Sequence, residues 1–281
     1  MAMNAEVREF LTTRRARLTP AQAGITDYGS ERRVPGLRRE EVADLAGLSL
    51  GYYTRIERGN IAGASDSVIN AIADALQLDD VERSHLLDLV RNSQPSPINP
   101  KHATRPRPAL PESIERMLSG MTSPAIVYDT RQNIVAANTL GRALYSLHFD
   151  TEQQPNIARF VYLDPRAKDF YVDYPLARRL VSGNLRLDAG RDPLDEELTA
   201  IVGELSTLSP QFRKDWANHN VHVHTHGVKE FRHPAVGVIE FSWDVLHPAG
   251  APGLSIVSYA VEPDSVAAER LALLGSWAAT A

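Results

Sequence analysis

The sequence predicts a two-domain protein, with an all-α five-helix domain followed by an α+β domain that has a small antiparallel sheet. In residues 1–92 the apolar residues recur with the period of an amphipathic helix. Strict alternation of apolar and polar residues, which is typical of strands, begins only after residue 124. Residues 93–111 contain six prolines and indicate a linker. We therefore expect the two domains at residues 1–92 and 112–281.

The first domain should contain five helices, each with an apolar stripe. We expect them at residues 4–18, 38–46, 49–58, 66–77 and 81–91. Gly47 ends the second helix, and Ser49 is placed to cap the third. Gly59 ends the third helix, because glycine most readily leaves the helical conformation. The second and third helices are therefore separated by a very short turn.

The second domain should combine strands and helices. Residues 124–138 predict two short strands around a turn at 130–133, and Asn138 is placed to cap the helix that follows. Alternation within 239–245 and 257–261 predicts two further strands. We expect other helices at 113–119, 165–171, 175–182, 194–208, 210–219 and 263–274, with Ser209 as a cap. This order predicts an antiparallel sheet with helices packed on one face.

Composition excludes several classes of protein. The chain has no cysteine, so it has neither disulfides nor thiolate metal sites. No apolar stretch approaches the roughly 18 to 20 residues of a membrane helix, and the N-terminus lacks the apolar core of a signal peptide. The sequence has no phosphate-binding glycine loop, nucleophile elbow or HExxH motif. We therefore predict a cytoplasmic protein that is not an enzyme and needs no cofactor.

The charge is distributed unevenly along the chain. The net charge is −5, but residues 1–60 contain ten arginines and eight acidic residues, a net of +2, so the remainder carries −7. The arginines of this first segment cluster at 14–17, 32–33 and 38–39. An acidic protein with arginines gathered at one end favours binding to DNA through that end.

Residues 37–59 have the features of a helix-turn-helix, with the sequence LRREEVADLAGLSLGYYTRIERG. Ala43 is the small residue required where two such helices cross, and Gly47 permits the positive φ of the turn. Tyr53 and Ile56 are three residues apart and form the face that docks on the domain. The other face of the second helix is left for the DNA major groove.

This motif resembles the Xre family of phage-repressor-like helix-turn-helix proteins, and SLGYYTRIERG is a specific form of its pattern. The resemblance implies that the first turn and a half of the helix meets the base edges. Arg55 is the strongest candidate for direct readout, because arginine makes a bidentate contact with guanine. The base-facing residues that the resemblance implies are Leu50, Gly51, Tyr52 and Arg55.

Contacts with phosphates are expected beside this helix. The resemblance implies such contacts from Arg39 and from the peptide N–H near Ser49. We add Arg38 and Arg58 to the predicted interface. The alternatives are a solvated surface for Arg38 and Arg39, and a helix-end charge pair of Arg58 with Glu57.

Five segments extend the resemblance over about residues 6–275. In order, they are RRARLTPAQAGI, RRVPGLRREEVADLAGLSLGYYTRIERG, IARFVYLDPRA, LSPQFRKDWANHNV and FRHPAVGVIEF. Together they resemble the MmyB-like transcription regulators, which are common in actinomycetes and join an Xre-type helix-turn-helix to a PAS-like ligand-binding domain. The resemblance implies that the second domain forms a homodimer and binds a small apolar ligand, with fatty acid as the precedent.

The second domain has residues suited to line an apolar pocket. It carries several large aromatic side chains, and a few polar residues are available to orient a ligand. The candidates are Tyr128, Asn138, Phe160, Arg178, Phe212, Trp216, His233 and Tyr259. The alternatives are core packing for the aromatic residues, a helix cap for Asn138 and a turn position for His233.

A cluster of histidines within residues 219–226 raises the alternative of a metal site. His222, His224 and His226 share one parity and would lie on one face of a strand, an arrangement that zinc or nickel accepts. No acidic residue accompanies them, and the MmyB-like pattern usually has arginines or small polar residues here. We therefore predict no metal site and a solvated strand edge, with a metal-dependent enzyme or regulator as the alternative.

These patterns predict a homodimeric, sequence-specific regulator of transcription. Its two helix-turn-helix domains would bind a pseudo-palindromic operator in double-stranded DNA, and its second domain would sense the ligand. No contact with a membrane is expected. The alternative is a DNA-binding regulator whose second domain is a ligand-free module for dimerisation or protein interaction.

Overall fold

The structure, a computed structural model, describes residues 2–25, 36–93, 110–150, 154–221 and 225–280. The chain divides into two compact units. The first contains the first five helices and the second contains the sheet and the remaining helices, except that residues 189–194 group with the first unit. Residues 94–109, most of the predicted linker, lie outside the described residues. Within the described ranges, no helix has the length and apolar character of a membrane span.

Five helices form the first unit, as the sequence predicts. They are α1 (Ala2–Arg17), α2 (Arg39–Leu45), α3 (Leu50–Glu57), α4 (Asp66–Ala75) and α5 (Asp80–Ser93). The turn between α2 and α3 has Gly47 at a φ of +65°, the left-handed conformation that the prediction requires. In the core, Phe10 of α1 and Tyr53 and Ile56 of α3 are fully buried. This core therefore holds α3 by the face that carries Tyr53 and Ile56.

A five-stranded antiparallel sheet organises the second unit. Its strands are β1 (Ala125–Asp129), β2 (Ile134–Ala137), β3 (His226–His233), β4 (Gly237–Leu246) and β5 (Leu254–Ala260). They lie in the spatial order β2-β1-β5-β4-β3. β1 and β2 form a hairpin, and β5 pairs with both β1 and β4. The sheet thus brings side chains from the beginning and the end of this unit onto neighbouring strands.

Helices connect and flank these strands. They are α6 (Glu112–Gly120), α7 (Thr139–Leu144), α8 (Ser146–Phe149), α9 (Ile157–Leu163), α10 (Ala167–Phe170), α11 (Tyr174–Arg191), α12 (Glu196–Leu208), α13 (Pro210–Ala217) and α14 (Val266–Ala278). The sequence analysis did not predict α9, since a segment of seven residues is too short to show a decisive period. It also did not predict β3, because the inward positions of this strand are not regularly apolar. Only Phe231 is a large apolar residue among the alternate positions Gly227, Lys229, Phe231 and His233.

The helices cover both faces of one half of the sheet, which corrects the expectation of a single covered face. Ala125 and Val127 of β1 pack against Ile114 and Leu118 of α6. The alternate residue Ile126 is fully buried as well. A strand that is apolar on both faces must be covered on both sides to remove it from water. Helix α6 provides the second cover.

Candidate DNA-binding helix and ligand cavity

Helix α3 is fixed by a side-chain cap and by one buried face. The Ser49 Oγ accepts a hydrogen bond of 3.2 Å from the N–H of Tyr52, which confirms the predicted cap. Tyr53 and Ile56 are both 0% exposed. Cap and buried face together set the direction and the rotation of the helix, which is what a side chain aimed at a DNA base requires.

The opposite face of α3 is open within its unit. Leu50 is 48% exposed, and Gly51 and Arg55 are exposed as well. The Arg55 guanidinium lies over the ring of Tyr52, 4.8 Å from its centroid, and its Nη2 donates to the carbonyl oxygen of Ala62 at 3.4 Å. A guanidinium has five N–H donors. One long hydrogen bond and a ring contact therefore leave most of the Arg55 donors available to a base or a phosphate.

A buried carboxylate joins three helices beneath this face. Glu57 is 1% exposed, and its oxygens accept hydrogen bonds from Arg15 of α1, Arg39 of α2 and the hydroxyl of Tyr53. Burial and the nearby Glu57 raise the pKa of Tyr53, so its hydroxyl remains a donor. A buried charge must be paired if it is not to destabilise the fold. Glu57 therefore anchors α3 to α1 and α2.

The remaining predicted DNA-binding arginines differ in their contacts. The side chain of Arg39 is 45% exposed although it pairs with Glu57. Arg38 has its Nη1 at 3.4 Å from a carboxylate oxygen of Glu40, and its side chain is 36% exposed. Arg58 is exposed, and the neighbouring Glu57 pairs with arginines of α1 and α2. The side chains of Arg38, Arg39 and Arg58 therefore all reach solvent.

A cavity of about 60 Å³ lies between the sheet and helices α9 and α11. Two of the predicted ligand residues, Tyr128 and Tyr259, line it. Its apolar wall is formed by Ile157, Val161, Ala177, Leu180, Val181, Val245 and Val257. The volume is enough for roughly four water molecules. In this conformation the cavity therefore accepts only a compact group.

The polar side of the cavity combines neutral hydroxyls with one cation. The hydroxyls of Tyr145 and Tyr259 are hydrogen-bonded to each other. Burial raises the pKa of Tyr128 to about 12 and also raises those of Tyr145 and Tyr259, so these groups stay neutral. The Nζ of Lys229 lies 4.0 Å from the centroid of the Trp243 ring, and burial lowers the pKa of Lys229 to about 8. Among the described residues that line the cavity, Lys229 is the one charged group.

Asn138, predicted as a ligand residue, instead caps α7 and holds the start of β1. Its Oδ1 accepts hydrogen bonds from the N–H groups of Gly141 (2.7 Å) and Ala125 (3.0 Å). Its Nδ2 donates to the carbonyl oxygens of Met121 and Ser123. Gly141 has no room for a side chain, because a Cβ would lie 2.1 Å from the carbonyl oxygen of Ala125. All hydrogen-bonding groups of the Asn138 side chain are thus paired with the backbone. This arrangement agrees with the alternative stated above, in which Asn138 is a helix cap.

Phe160 and His233 also lie outside the lining of the cavity. Phe160 stacks on His148 with 3.8 Å between the ring centroids, and burial lowers the pKa of His148 to about 3. His233 is 1% exposed at the end of β3, with its Nε2 at 3.0 Å from the carbonyl oxygen of Ala143 and 3.2 Å from the Oγ of Ser146. Phe160 is therefore buried beside a separate pocket of about 430 Å³ that it lines with residues of α9. His233 is the last residue of β3 and its Nδ1 accepts a hydrogen bond of 3.2 Å from the N–H of Ala235 in the turn that follows, which agrees with the turn alternative.

Arg178, Phe212 and Trp216 form a different cluster, which joins α9, α11 and α13. The Nη1 of Arg178 is 3.0 Å from the Oδ2 of Asp215, and the hydroxyl of Tyr162 donates to the same oxygen. The rings of Phe212 and Trp216 stack with 5.4 Å between their centroids. None of the three predicted residues lines the cavity. Their contacts hold the helices together. For Phe212 and Trp216 this agrees with the alternative stated above, in which the aromatic residues are part of the core.

Most residues that line the cavity were not singled out from the sequence, and Lys229 and Gln132 are two of them. Lys229 is a lysine on the inward side of β3, two residues from the fully buried Phe231. Gln132 is in the β1–β2 turn, where its φ is +65°. A lysine in phase with a buried phenylalanine would have been a usable signal, but only once β3 had been predicted as a strand.

The predicted metal alternative concerns residues that are only partly described. His226 is exposed at the start of β3, whereas His222 and His224 lie outside the described residues. In the described part of the chain, no group of three or more His, Asp or Glu side chains is arranged to hold a metal ion. The role of these three histidines stays a prediction.

A capped helix with an exposed outer face, together with a cavity in a separate unit, is the combination expected of a DNA-binding regulator with a ligand-binding domain. Residues 6–86 match a helix-turn-helix domain family, and residues 110–274 match the family of the MmyB-like transcription regulator ligand binding domain. Because the second match covers more than half of the chain, the chain belongs to the MmyB-like transcription regulators, and its sheet domain is the PAS-like ligand-binding domain. No curated protein matches the chain.

Proposed function

We propose that the protein is a homodimeric transcription factor of the cytoplasm, without enzymatic activity, whose C-terminal domain senses a small apolar ligand. Two copies of α3 would enter the major groove of a pseudo-palindromic operator, because a two-fold symmetric protein fits a two-fold symmetric site. The ligand would change the affinity for DNA by binding one arrangement of the dimer better than another. The domain limits that we propose are 1–92, 93–111 for the linker, and 112–281.

The exposed outer face of α3 is the observation that carries this proposal. Tyr53 and Ile56 hold the helix by its inner face, so the outer face is presented without further rearrangement of the domain. Arg55 on that face keeps most of its donors. The DNA interface that we propose consists of Arg38, Arg39, Ser49, Leu50, Gly51, Tyr52, Arg55 and Arg58.

The apolar wall of the cavity supports an apolar ligand. Membership of the family favours a fatty-acid-like molecule, and the valine and leucine side chains from α9, α11 and the sheet suit a short hydrocarbon group. The cavity volume of about 60 Å³ is well below the few hundred Å³ of a typical ligand pocket. A longer acyl chain would therefore have to widen the cavity by moving α9 or α11.

The small volume also favours a second candidate, in which the C-terminal domain is a ligand-free module for dimerisation or protein interaction. Native mass spectrometry of the purified full-length protein separates the two candidates. A small molecule that is retained under native conditions and released on unfolding supports the sensor. A bare dimer that binds no carboxylate, alcohol or amide supports the module.

Substitution of Arg55 by alanine tests the DNA-binding helix. A duplex is first selected with the wild-type protein from a random-sequence pool, and its affinity for each variant is then measured by fluorescence anisotropy. We expect Arg55→Ala to weaken binding roughly 5- to 150-fold, because a bidentate contact with guanine contributes about 1–3 kcal/mol.

Arg8→Ala is the matched control, because Arg8 is an exposed arginine on α1 and its loss changes the charge equally. All measurements share one salt concentration, since binding to DNA depends steeply on salt. If Arg55→Ala binds the selected duplex as tightly as Arg8→Ala does, the assignment of α3 to the major groove is wrong.

A further inference from the structure

Lys229 is a lysine of the sheet domain whose amino group has no polar partner. It lies on β3 and lines the cavity between the sheet and helices α9 and α11. In the part of the chain that the structure describes, no hydrogen bond or ion pair holds its Nζ, which lies 4.0 Å from the centroid of the Trp243 ring. A buried ammonium group is normally paired with an anion. Lys229 therefore does not serve an ion pair of the fold.

The tyrosine hydroxyls that line the cavity bind groups other than this lysine. Those of Tyr145 and Tyr259 are hydrogen-bonded to each other. The hydroxyl of Tyr171 is 3.0 Å from the Nε2 of His148. Burial raises the pKa of all three tyrosines, so none of them is charged near neutral pH. The described residues of the cavity wall thus supply neutral polar groups but no counter-charge for an ammonium group.

Desolvation without a counter-charge favours the neutral amine of Lys229. Burial lowers its pKa from 10.5 to about 8. At pH 7 about a tenth of such a group is the free amine, compared with roughly one part in 3,000 of an ordinary lysine. The free amine is the nucleophilic form of the side chain. A lysine that is desolvated in an apolar pocket is therefore activated for attack on a carbonyl group.

The same wall has partners for the oxygen of a carbonyl compound. The Nε2 of Gln132 and the Nε1 of Trp243 are buried donors without a hydrogen-bond partner among the described residues. A carbonyl oxygen accepts from such donors, which stabilises the charge that develops on it during attack. The side-chain oxygens of Gln132 and Asn184 are acceptors in the same lining. They suit the hydroxyl group of the carbinolamine that forms first.

A groove of about 200 Å³ adjoins the cavity and gives access to the amine. Lys229 lines both of them. The groove also carries the acidic residues Asp173, Glu230 and Glu240, but all three are exposed and none forms an ion pair with Lys229. The cavity volume of about 60 Å³ limits the remainder of the carbonyl compound to a short chain.

We propose that Lys229 forms an imine with a short aldehyde or ketone that enters the cavity from this groove. The amine attacks the carbonyl carbon, a C–N bond forms, and one amine proton moves to the oxygen. The resulting carbinolamine loses its hydroxyl group and the remaining amine proton as water, which leaves a C=N bond. The reaction needs no oxidant or cofactor and is reversed by water. It goes beyond the proposed sensing of an apolar ligand and requires neither a fatty acid nor DNA.

Reductive trapping of the full-length protein with propanal at pH 7 tests the proposal. Cyanoborohydride reduces the imine to a stable propyl-lysine, which peptide mass mapping assigns to one position. The chain has four lysines, Lys101, Lys168, Lys214 and Lys229. Lys168 and Lys214 are exposed on α10 and α13 and serve as internal controls. We expect Lys229 to be alkylated at least tenfold faster than either, because a larger share of it is free amine.

Two further measurements place the reaction in the cavity. In protein unfolded by guanidinium chloride the lysines should react at similar rates, because burial no longer distinguishes Lys229. 1-Naphthaldehyde is too large for a cavity of about 60 Å³ and should show no preference for Lys229. The fast adduct should be lost in Lys229→Met and kept in Lys168→Met.

Equal rates at Lys229 and Lys168 in the folded protein would overturn the proposal. The same preference for Lys229 with propanal and with 1-naphthaldehyde would overturn the assignment to the cavity. Either result leaves the DNA-binding and sensor proposals standing, since Arg55→Ala and native mass spectrometry test those independently.

Discussion

The ammonium group of Lys229 lies 4.0 Å from the centroid of the Trp243 ring in a cavity otherwise lined by neutral side chains. A cation over an indole ring gains about 0.5–1 kcal/mol, and more when it is desolvated. Burial acts in the opposite direction, because it lowers the pKa of Lys229 from 10.5 to about 8. Each pKa unit corresponds to about 1.4 kcal/mol. Even after a discount for partial exposure, the charge destabilises the second domain at neutral pH.

We therefore expect Lys229→Met to raise the free energy of unfolding of the second domain by about 1–2 kcal/mol at pH 7. The unfolded chain holds the Lys229 proton up to pH 10.5, whereas the folded chain releases it near pH 8. Wild-type stability should thus rise relative to the variant between pH 8 and 10.5, and the difference should vanish above that range. Urea unfolding followed by tryptophan fluorescence reports this domain, since all three tryptophans lie after residue 215.

Lys168 is exposed on α10, and the same pH series with Lys168→Met gives the background effect of losing a surface lysine. The tyrosines around Lys229 have raised pKa values, so they stay neutral over most of this pH range. A Lys229→Met protein less stable than wild type at pH 7 would show that the lysine serves the fold, and would weaken the case for a binding role.

At the scale of the elements, side-chain caps fix where helices begin and how strands join them. Ser49, Asn138 and Ser209 each accept a hydrogen bond from an N–H in the first turn of the following helix. Asn138 does more than the other two, because its amide also binds the backbone of β1 and the segment before it. Its loss should therefore affect the β1–α7 junction and not only one helix end.

We expect Asn138→Ala to lower the free energy of unfolding of the second domain by about 2–4 kcal/mol, because it leaves several backbone groups without partners. Ser209→Ala removes a single cap hydrogen bond, that to the N–H of Phe212, and should cost about 1 kcal/mol. Urea unfolding by tryptophan fluorescence compares the two variants. An Asn138→Ala protein that unfolds no more easily than Ser209→Ala, yet loses affinity for a short fatty acid such as hexanoate, would return Asn138 to the list of ligand residues.

At the scale of the whole molecule, sensing requires that the ligand and the DNA influence each other's binding. If a ligand changes the Kd for DNA by some factor, DNA must change the Kd for the ligand by the same factor. Couplings of this kind are typically about 1–3 kcal/mol, or roughly 5- to 150-fold. The reciprocity holds whatever the direction of the effect, so it applies to a repressor and to an activator alike.

We expect saturating hexanoate, a short probe for the proposed fatty-acid-like ligand, to change the Kd of the protein for its selected duplex at least fivefold. Anisotropy measures the DNA Kd with and without hexanoate, and calorimetry measures the hexanoate Kd with and without DNA. Unequal factors would point to a second ligand site. If bound hexanoate leaves the Kd for DNA unchanged, the domain binds the ligand without regulating the binding of DNA.

Much of the candidate site in the first unit could be predicted because its signals are local. The Ser49 cap, the Gly47 turn and the spacing of Tyr53 and Ile56 all lie within one short stretch of chain, and each matches the structure. The Glu57 anchor was not foreseen, because its partners Arg15 and Arg39 come from other helices.

In the second unit the sequence by itself determined the hairpin, the caps and the alternation of β4, since period and capping depend on near neighbours along the chain. Tertiary structure alone decided which side chains meet. Strand pairing places Tyr128, Trp243 and Tyr259 around one cavity with Lys229, while the aromatic candidates of α9 and α13 pack elsewhere. The physical reason is that an aromatic or charged side chain has the same local signature whether it fills a core or faces a cavity. Only the arrangement of distant segments determines which of the two it does.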